Sequence, residues 1–334
     1  MSLKILVIRF SSMGDIVLTT PVLRALRAKY PNAVIHYLTK EKFREAIELH
    51  PVPDKIWYLK NSLAEIILQL QQERFDYIID LHASLRSFLV RFQLMGKVYV
   101  FPKSVFRRWK FIRLGMGRPD TRHIVVRYLE AVKKLGVSDD QQGLDFILEP
   151  DILEKVSAQS KEIFGEQIPM AIVLAATWHT KKWPVNYYIR FLLNSKQPFV
   201  LLGGEGEKME ALEIMNQVPD GLNLTGRCSL QESAAWLQVS KFVISHDTGL
   251  MHIASALKKN IFVLWGNTAP QLGMYPWMTE HYNLEVRGLS CRPCTHLGHR
   301  ECPKGHFACM INLSPEKLTD MVNYHFGSND ISTV

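Results

Sequence analysis

Short apolar runs alternate along this chain with longer stretches whose apolar positions recur every three or four residues. The runs fall at residues 4–10, 34–38, 55–58, 77–81 and 98–101, each strand-length and rich in branched or aromatic side chains. Between them, residues 63–73 and 125–135 carry the spacing of amphipathic helices. Such alternation predicts a parallel sheet covered by helices. A polar stretch at 136–143 precedes DFILEP and a further helix, and the pattern then restarts with runs at 170–176, 198–204, 241–246 and 261–266. The chain therefore reads as α/β, two similar domains facing each other across a cleft. The division falls near 150–168, with a first domain over 1–155 and a second over 156–313. A last helix and tail follow at 314–334, with Ser314 as cap and Pro315 in the first turn.

Two strand-turn-helix units stand out. Residues 242–257, FVISHDTGLMHIASAL, read as a buried strand, a tight turn at Asp247-Thr248-Gly249, and a helix. Amides at a helix start are unpaired and the helix dipole is positive there, so Thr248, Gly249 and Leu250 form a ready anion site. The amino terminus repeats the shape: KILVIRF, a turn over Ser11-Ser12-Met13-Gly14-Asp15, then a helix from TTPVLRALRAKY with Pro21 near its start. Each unit presents an Asp, which predicts that the two domains set these turns against each other.

In open parallel sheets ligands bind beyond the carboxyl ends of the strands. Thr177-Trp178-His179-Thr180-Lys181-Lys182-Trp183-Pro184 and Glu205-Gly206-Glu207 follow two such ends. A lysine there can neutralise a phosphate and a carboxylate can accept from ribose hydroxyls, so together they describe a sugar-nucleotide pocket. Taken singly, Lys182 also reads as a surface cation, and Glu205 and Glu207 as first-turn residues of a helix. Asp15 reads as an N-cap or, with a nucleotide on the opposite domain, as the group that takes a proton from an attacking hydroxyl. His252 lies four residues after Thr248 and shares a face with the turn, reading as a phosphate or base contact or as a hydrogen-bonded core residue.

Cysteines divide into a group and a singleton. Cys291, Cys294, Cys302 and Cys309 crowd into CRPCTHLGHRECPKGHFAC with His296, His299 and His306. C-x2-C spacing followed by two more cysteines resembles a structural zinc site, and also reads as reduced thiols in an ordered loop. Cys228 reads as a small buried apolar residue.

Hydrophobic residues make up 47% and charged residues 22%, a globular balance that excludes disordered and fibrous classes. No window matches a membrane span and the amino terminus does not match a signal peptide, so the expectation is a cytoplasmic protein. Charge changes the picture more. Forty basic residues stand against 32 acidic, and residues 86–134 hold thirteen Lys or Arg against Asp120 and Glu130. Arg107, Arg108, Lys110 and Arg113 lie beside Phe106, Trp109 and Phe111. This basic face suits an anionic partner, whether a lipid headgroup surface, a phosphorylated saccharide or nucleic acid, and the charge run also reads as a solvated helix face.

The two units VIRFSSMGDIVLTTPVLRAL and VISHDTGLMHIASAL together resemble those of the ADP-heptose:lipopolysaccharide heptosyltransferases, glycosyltransferase family 9. Asp80-Leu81 with Arg86-Ser87, His123 with Arg127, the Lys-Lys-Trp-Pro run, Gly204-Glu205 and Cys309-Met310 extend the likeness along nearly the whole chain. The resemblance implies a GT-B architecture of two Rossmann-like doubly wound domains facing a cleft, and inverting, metal-independent transfer of heptose from ADP-heptose to the Kdo/heptose inner core of lipopolysaccharide. It implies Asp15 as catalytic base and Lys181 as the residue steadying the diphosphate. Thr177, Lys182, Glu205, Cys228, Asp247, Thr248, Gly249, Leu250 and His252 become the donor side, and Ser12, Gly14, Arg86, His123 and Arg127 the acceptor side. No cofactor is required and no nucleic acid is a partner; the anionic acceptor implies peripheral contact with the inner-membrane surface. A sugar-nucleotide epimerase or hydrolase on the same pocket is the nearest rival, and a zinc-containing nucleic-acid binder leaves both strand-turn-helix units without a purpose. A dinucleotide dehydrogenase is disfavoured, because Gly-x-Gly-x-x-Gly is absent after the first strand.

Overall fold

The computed structural model describes residues 2–103, Trp109, Ile112 and 120–327. Phe106, Arg107, Arg108, Lys110, Phe111 and Arg113 of the basic segment lie outside the described residues. Two all-parallel sheets carry the molecule. The first runs β3-β2-β1-β4-β5, from β1 (Lys4–Ile8), β2 (Val34–Lys40), β3 (Lys55–Leu59), β4 (Tyr77–Asp80) and β5 (Lys97–Val100). The second runs β11-β10-β9-β6-β7-β8, from β6 (Met170–Val173), β7 (Phe199–Leu202), β8 (Leu222–Asn223), β9 (Val243–His246), β10 (Ile261–Trp265) and β11 (His281–Glu285). Strands β1, β6 and β9 lie in mid-sheet and are buried almost end to end, as strands covered on both faces must be.

Each order reverses once, and that reversal positions everything that follows. In the first sheet the chain steps from β1 outward to β3 and then returns to β4 beside β1; in the second it steps from β6 to β8 and returns to β9 beside β6. Loops leaving neighbouring strands at a reversal must diverge to opposite faces, which opens a crevice at the carboxyl edge. Ile8 stands in register with Leu38 and Asp80, so the first sheet's carboxyl edge is flush there.

The first unit differs in detail from its sequence reading. β1 ends at Ile8, and Asp15 sits within a short helix, Met13–Val17, before a second helix, Thr20–Lys29. Pro21 has no N–H to give the Val17 carbonyl; the Thr20 hydroxyl donates to it instead at 2.8 Å, and Thr19 donates to Ile16 at 2.7 Å. Strands β8 and β11 carried no apolar signal, being short or half-exposed edges. The helix Pro150–Phe164 runs through the expected division at 155 and 156 and packs on helix Leu230–Val239. The last helix, Pro315–Phe326, has Ser314 at its cap position and packs on helix Val185–Ser195.

The two halves are docked. One apolar cluster includes Val7 and Val17 from the first sheet's side and Val173, Val243 and Met251 from the second's. Glu45 accepts from the Leu230 and Gln231 amides at 2.9 and 3.3 Å, so a first-half carboxylate caps a second-half helix. The Ile124 amide donates to Gly273 at 2.9 Å. Among the described residues no helix is long and apolar enough to cross a membrane.

Candidate active site

Both strand-turn-helix units face the interlobe crevice, and they touch. A Cβ built on Gly14 would stand 2.7 Å from His252 Cδ2 and 3.0 Å from the Gly249 Cα. One built on Gly249 would stand 2.5 Å from the Met13 methyl. Glycine is needed at both positions because the starts of helices Met13–Val17 and Gly249–Ala256 meet backbone to backbone. Gly14→Ala is therefore expected to lower stability by about 1–3 kcal/mol through overpacking, read as a drop in melting temperature. An unchanged melt would show that the lobes part freely at this contact.

Asp15 is held by its own turn. Its Oδ2 accepts from the Ser12 amide at 3.0 Å and the Ser12 hydroxyl at 2.7 Å, while Oδ1 lies 2.8 Å from Arg9 Nη2. Arg9 is buried and also donates to the Ser11 and Leu81 carbonyls at 2.7 and 2.6 Å. Burial alone would raise the Asp15 pKa, but the Arg9 charge and the two Ser12 hydrogen bonds bring it below the ordinary carboxylate value. The side chain keeps a fifth of its surface exposed, so it is an oriented anion with an open side. It serves its helix as the third residue of a capping box and still faces outward. Arg9 escaped the sequence reading, although an arginine ending an otherwise apolar strand is a signal that a buried anion waits for it.

Opposite stands the second turn. Thr248 takes the cap position of helix Gly249–Ala256 with extended backbone, and its side chain makes no capping hydrogen bond. The leading amides of that helix are therefore left for a ligand. Lys181 Nζ lies 2.7 Å from Asp247 Oδ2 and donates to the Asp247 carbonyl at 3.1 Å, which sets a cation beside the turn. Lys182 points elsewhere, 3.0 Å from Glu207 and 2.9 Å from Glu210. The loop holding both lysines is fixed by His246, whose Nε2 accepts from the Trp183 amide at 3.0 Å and meets the Tyr188 hydroxyl at 2.8 Å. Burial lowers the His246 pKa to about 3, so it accepts as a neutral ring.

A cleft of about 430 Å³ opens beside this turn, lined by Thr177, Cys228, Thr248, Gly249 and Leu250. Met13 reaches into it from the first half. Glu207 also lines it and accepts from the Gly204 amide at 3.0 Å. Glu205 sits outside, largely exposed, 2.7 Å from Lys208. Ser229 and Ser233 line the cleft too and were missed, though the Ser229–Glu232 capping box was legible as S-x-x-E. Burial pushes the Cys228 thiol up to about 11, so it lines the cleft as a neutral group.

His252 is buried beneath the Gly14–Gly249 contact, and its Nδ1 has no hydrogen-bond partner among the described residues. Burial lowers its pKa, while Asp247 and Asp15 oppose that shift from the two sides.

Not every expected acceptor residue faces the crevice. His123 is almost wholly buried: its Nδ1 accepts from the Val125 amide at 3.2 Å, Nε2 donates to the Tyr275 carbonyl at 2.8 Å, and the ring stacks on Trp277 at 4.3 Å. With both nitrogens engaged and burial lowering its pKa to about 3, His123 joins the lobes as a neutral ring instead of meeting a ligand. Arg127 is also buried, lying 4.9 Å over the Phe101 ring and 3.5 Å from Asp120. Arg86 is exposed and borders a separate groove of about 480 Å³ with Lys40, Lys42 and Lys60. Burial, and then the charges of Arg86 and Lys42, lower the Lys40 pKa, and Glu41 is the one acidic side chain lining this groove.

The four cysteines of the carboxyl-terminal loop surround a cavity of about 20 Å³ as free thiols. Cys291 Sγ lies 3.8 Å from His306 Nε2, but no three His, Cys, Asp or Glu side chains converge on a metal position among the described residues. The loop has a visible mechanical role: Thr180 and His299 exchange hydrogen bonds of 2.8–3.2 Å, buttressing the segment that carries Lys181.

An ionised carboxylate on one lobe, with a helix start of unpaired amides beside a lysine on the other, suits group transfer from a phosphorylated leaving group. The comparisons agree with that chemistry. Residues 63–304 match the family described as Glycosyltransferase family 9 (heptosyltransferase). Lipooligosaccharide heptosyltransferase 2 of Campylobacter jejuni subsp. jejuni serotype O:6 is 23% identical over 93% of this chain and 95% of its own. The crystal structure of the glycosyl transferase family 9 from Veillonella parvula aligns with a TM-score of 0.78 at 20% identity, covering 96% of each chain. E. coli heptosyltransferase WaaC with ADP aligns with a TM-score of 0.70 at 20% identity, over 96% of this chain and 99% of that one. The two-sheet architecture is accordingly GT-B.

Proposed function

This chain belongs to glycosyltransferase family 9, and from that premise we infer that it moves heptose from ADP-heptose to the anionic Kdo/heptose inner core of lipopolysaccharide, inverting the anomeric carbon without a metal. The donor occupies the cleft of the second lobe. Adenine lies toward Cys228, ribose meets Glu207 inside the cleft and Glu205 at its rim, and the diphosphate rests on the amides of Thr248, Gly249 and Leu250. Lys181 and Thr177 complete the phosphate contacts, with Lys182 supporting them through Glu207. Asp247 and His252 border the sugar.

The acceptor approaches from the first lobe past Ser12, Gly14 and Arg86, while Arg127 and His123 shape that side from within. Its hydroxyl oxygen attacks the anomeric carbon from the face opposite the diphosphate. As the new C–O bond forms, the bond to the ADP oxygen breaks, ADP departs with the electron pair, and the hydroxyl proton passes to Asp15. An Asp with a depressed pKa is a weak base toward a ground-state alcohol, so the proton moves late, once the oxygen has become acidic through bonding. The leaving charge is met by helix amides and Lys181, which occupy the place a divalent cation takes in other designs.

One relation carries the reading: the ionised Asp15 and the 247–250 turn belong to different lobes and meet across the Gly14–Gly249 contact. The test is product analysis with ADP-heptose, with and without a delipidated inner-core acceptor. Expected are acceptor-dependent release of ADP and a product of opposite anomeric configuration. Release or isomerisation of the sugar with no acceptor present sinks the transferase reading in favour of a hydrolase or epimerase. Turnover in excess EDTA is expected to match turnover without it; a loss restored by added divalent metal refutes metal independence. A lipid-linked acceptor also places the protein at the cytoplasmic face of the inner membrane.

A further inference from the structure

Helix Leu85–Gln93 has two apolar faces. One is ordinary: Val90, with Leu94 just beyond the helix end, packs into the core cluster formed with Ile66, Leu70 and Ile78. The other is turned to solvent. Leu85, Phe88, Leu89 and Phe92 follow the i, i+3, i+4, i+7 spacing of a single helix face, and all four are exposed, Leu85 at 76% and Phe92 at 75%. Phe88 and Phe92 stack on each other with ring centroids 5.7 Å apart. Met95, just past the helix, is 86% exposed, and Leu68 is exposed on the neighbouring helix Leu63–Gln71. Scattered surface leucines need no explanation; four apolar side chains along one exposed helix face, two of them stacked rings, do.

Charge says what covers it. From residue 81 to residue 119 the chain holds nine Lys or Arg and no Asp or Glu. Arg86 lies within the helix, Lys97 follows it, and the anion-poor groove of Lys40, Lys42 and Lys60 adjoins Arg86. Glu41 compensates only in part, 3.3 Å from Lys60. Pairing this face with a second copy of itself would bring like charges together around the apolar strip, a costly arrangement. An anionic bilayer supplies what both features lack: an apolar layer for Leu85, Phe88, Leu89 and Phe92, and headgroup phosphates for the cations around them.

We propose that the outer face of helix Leu85–Gln93 docks this protein on an anionic lipid bilayer, with its apolar side chains entering the headgroup boundary. The inference rests on the reading of the acceptor as lipid-linked, and it deepens that reading by naming the membrane-facing element. Arg86 opens the helix at the carboxyl edge of the first sheet, so a docked helix brings the bilayer to the acceptor side of the crevice.

The experiment is co-sedimentation of the full chain with phosphatidylglycerol–phosphatidylcholine vesicles and with pure phosphatidylcholine vesicles, for wild type and Phe88→Ser/Phe92→Ser. Wild type is expected to bind the anionic vesicles, more weakly as salt rises, and the double variant at least about tenfold more weakly, the loss of two inserted aromatic rings. Because both side chains are exposed, the variant is expected to keep the wild-type melting temperature and its transfer rate to a water-soluble acceptor. Wild type failing to bind, variant binding equal to wild type, or binding unchanged from low to high salt overturns the proposal. So does a wild-type dimer in sedimentation velocity that the double substitution dissolves, which would assign the strip to self-association. Vesicle binding with no transfer to the soluble acceptor would leave the docking helix standing and remove the assigned activity; the opposite pattern would do the reverse.

Discussion

Asp15→Asn is expected to lower turnover by about 10²–10⁴-fold, the usual contribution of a positioned general base, while ADP binds almost as well as to wild type. The amide keeps the size and most of the hydrogen-bonding geometry at Ser12 but cannot take a proton. Donor affinity survives because the donor contacts belong to the other lobe. The substitution has a second consequence that the experiment must separate: Arg9, whose side chain is only 10% exposed, loses its ionic partner, and an unpaired buried guanidinium destabilises the fold. Rates are therefore compared well below the variant's melting temperature, with ADP affinity measured by calorimetry. A variant within tenfold of wild type in turnover would remove Asp15 from the chemistry. The pH dependence gives an independent check. The active form is the carboxylate, and its pKa lies below the ordinary value, so activity should be lost only as pH falls through that depressed value. An acid limb near neutrality from this group would contradict the Arg9–Asp15 pairing.

Lys181→Met is the second large expectation. It removes the cation set 2.7 Å from Asp247 beside the uncapped helix, and kcat/KM should fall by about 10²–10³-fold, the scale of losing one preorganised stabiliser of a leaving anion. ADP affinity should fall with it, because the diphosphate carries its charge in the ground state as well. Lys182→Met is the matched control. The two lysines are buried to nearly the same degree, at 13% and 14% side-chain exposure, and each loses carboxylate partners on substitution. Only Lys181 faces the turn, so the control is expected to lose stability and far less catalysis. A greater catalytic loss at Lys182 than at Lys181 would reverse the assignment of the pair.

These two adjacent lysines show where a sequence stops being informative. Side-chain type and spacing mark the loop as cationic, but neighbouring residues on an irregular segment point in directions set by what anchors it. Here the anchors are His246 and the His299 backbone, from strand β9 and from the cysteine-rich loop. The same limit explains Glu205 and Glu207. Both follow the end of β7, and a short 3-10 turn swings the first to solvent and the second into the cleft. His123 is the sharper case: a histidine before a helix is readable as a cap, and it is one, but its burial against Tyr275 and Trp277 depends on residues some 150 positions away.

What the chain determines by itself is local and periodic. Apolar spacing specifies strands and helices, their alternation specifies two parallel sheets, and the glycine-bearing turn after β9 specifies where a helix starts with bare amides. These follow from the sequence because secondary-structure period, helix termini and turn conformation are governed by neighbours within a few residues. Tertiary structure alone decided the pairings: Arg9 with Asp15, Lys181 with Asp247, Gly14 against Gly249, and an aromatic strip left outside the core. Those depend on how far two loops diverge at each reversal of strand order and on which face of a helix finds the sheet, and burial of the whole core fixes both at once.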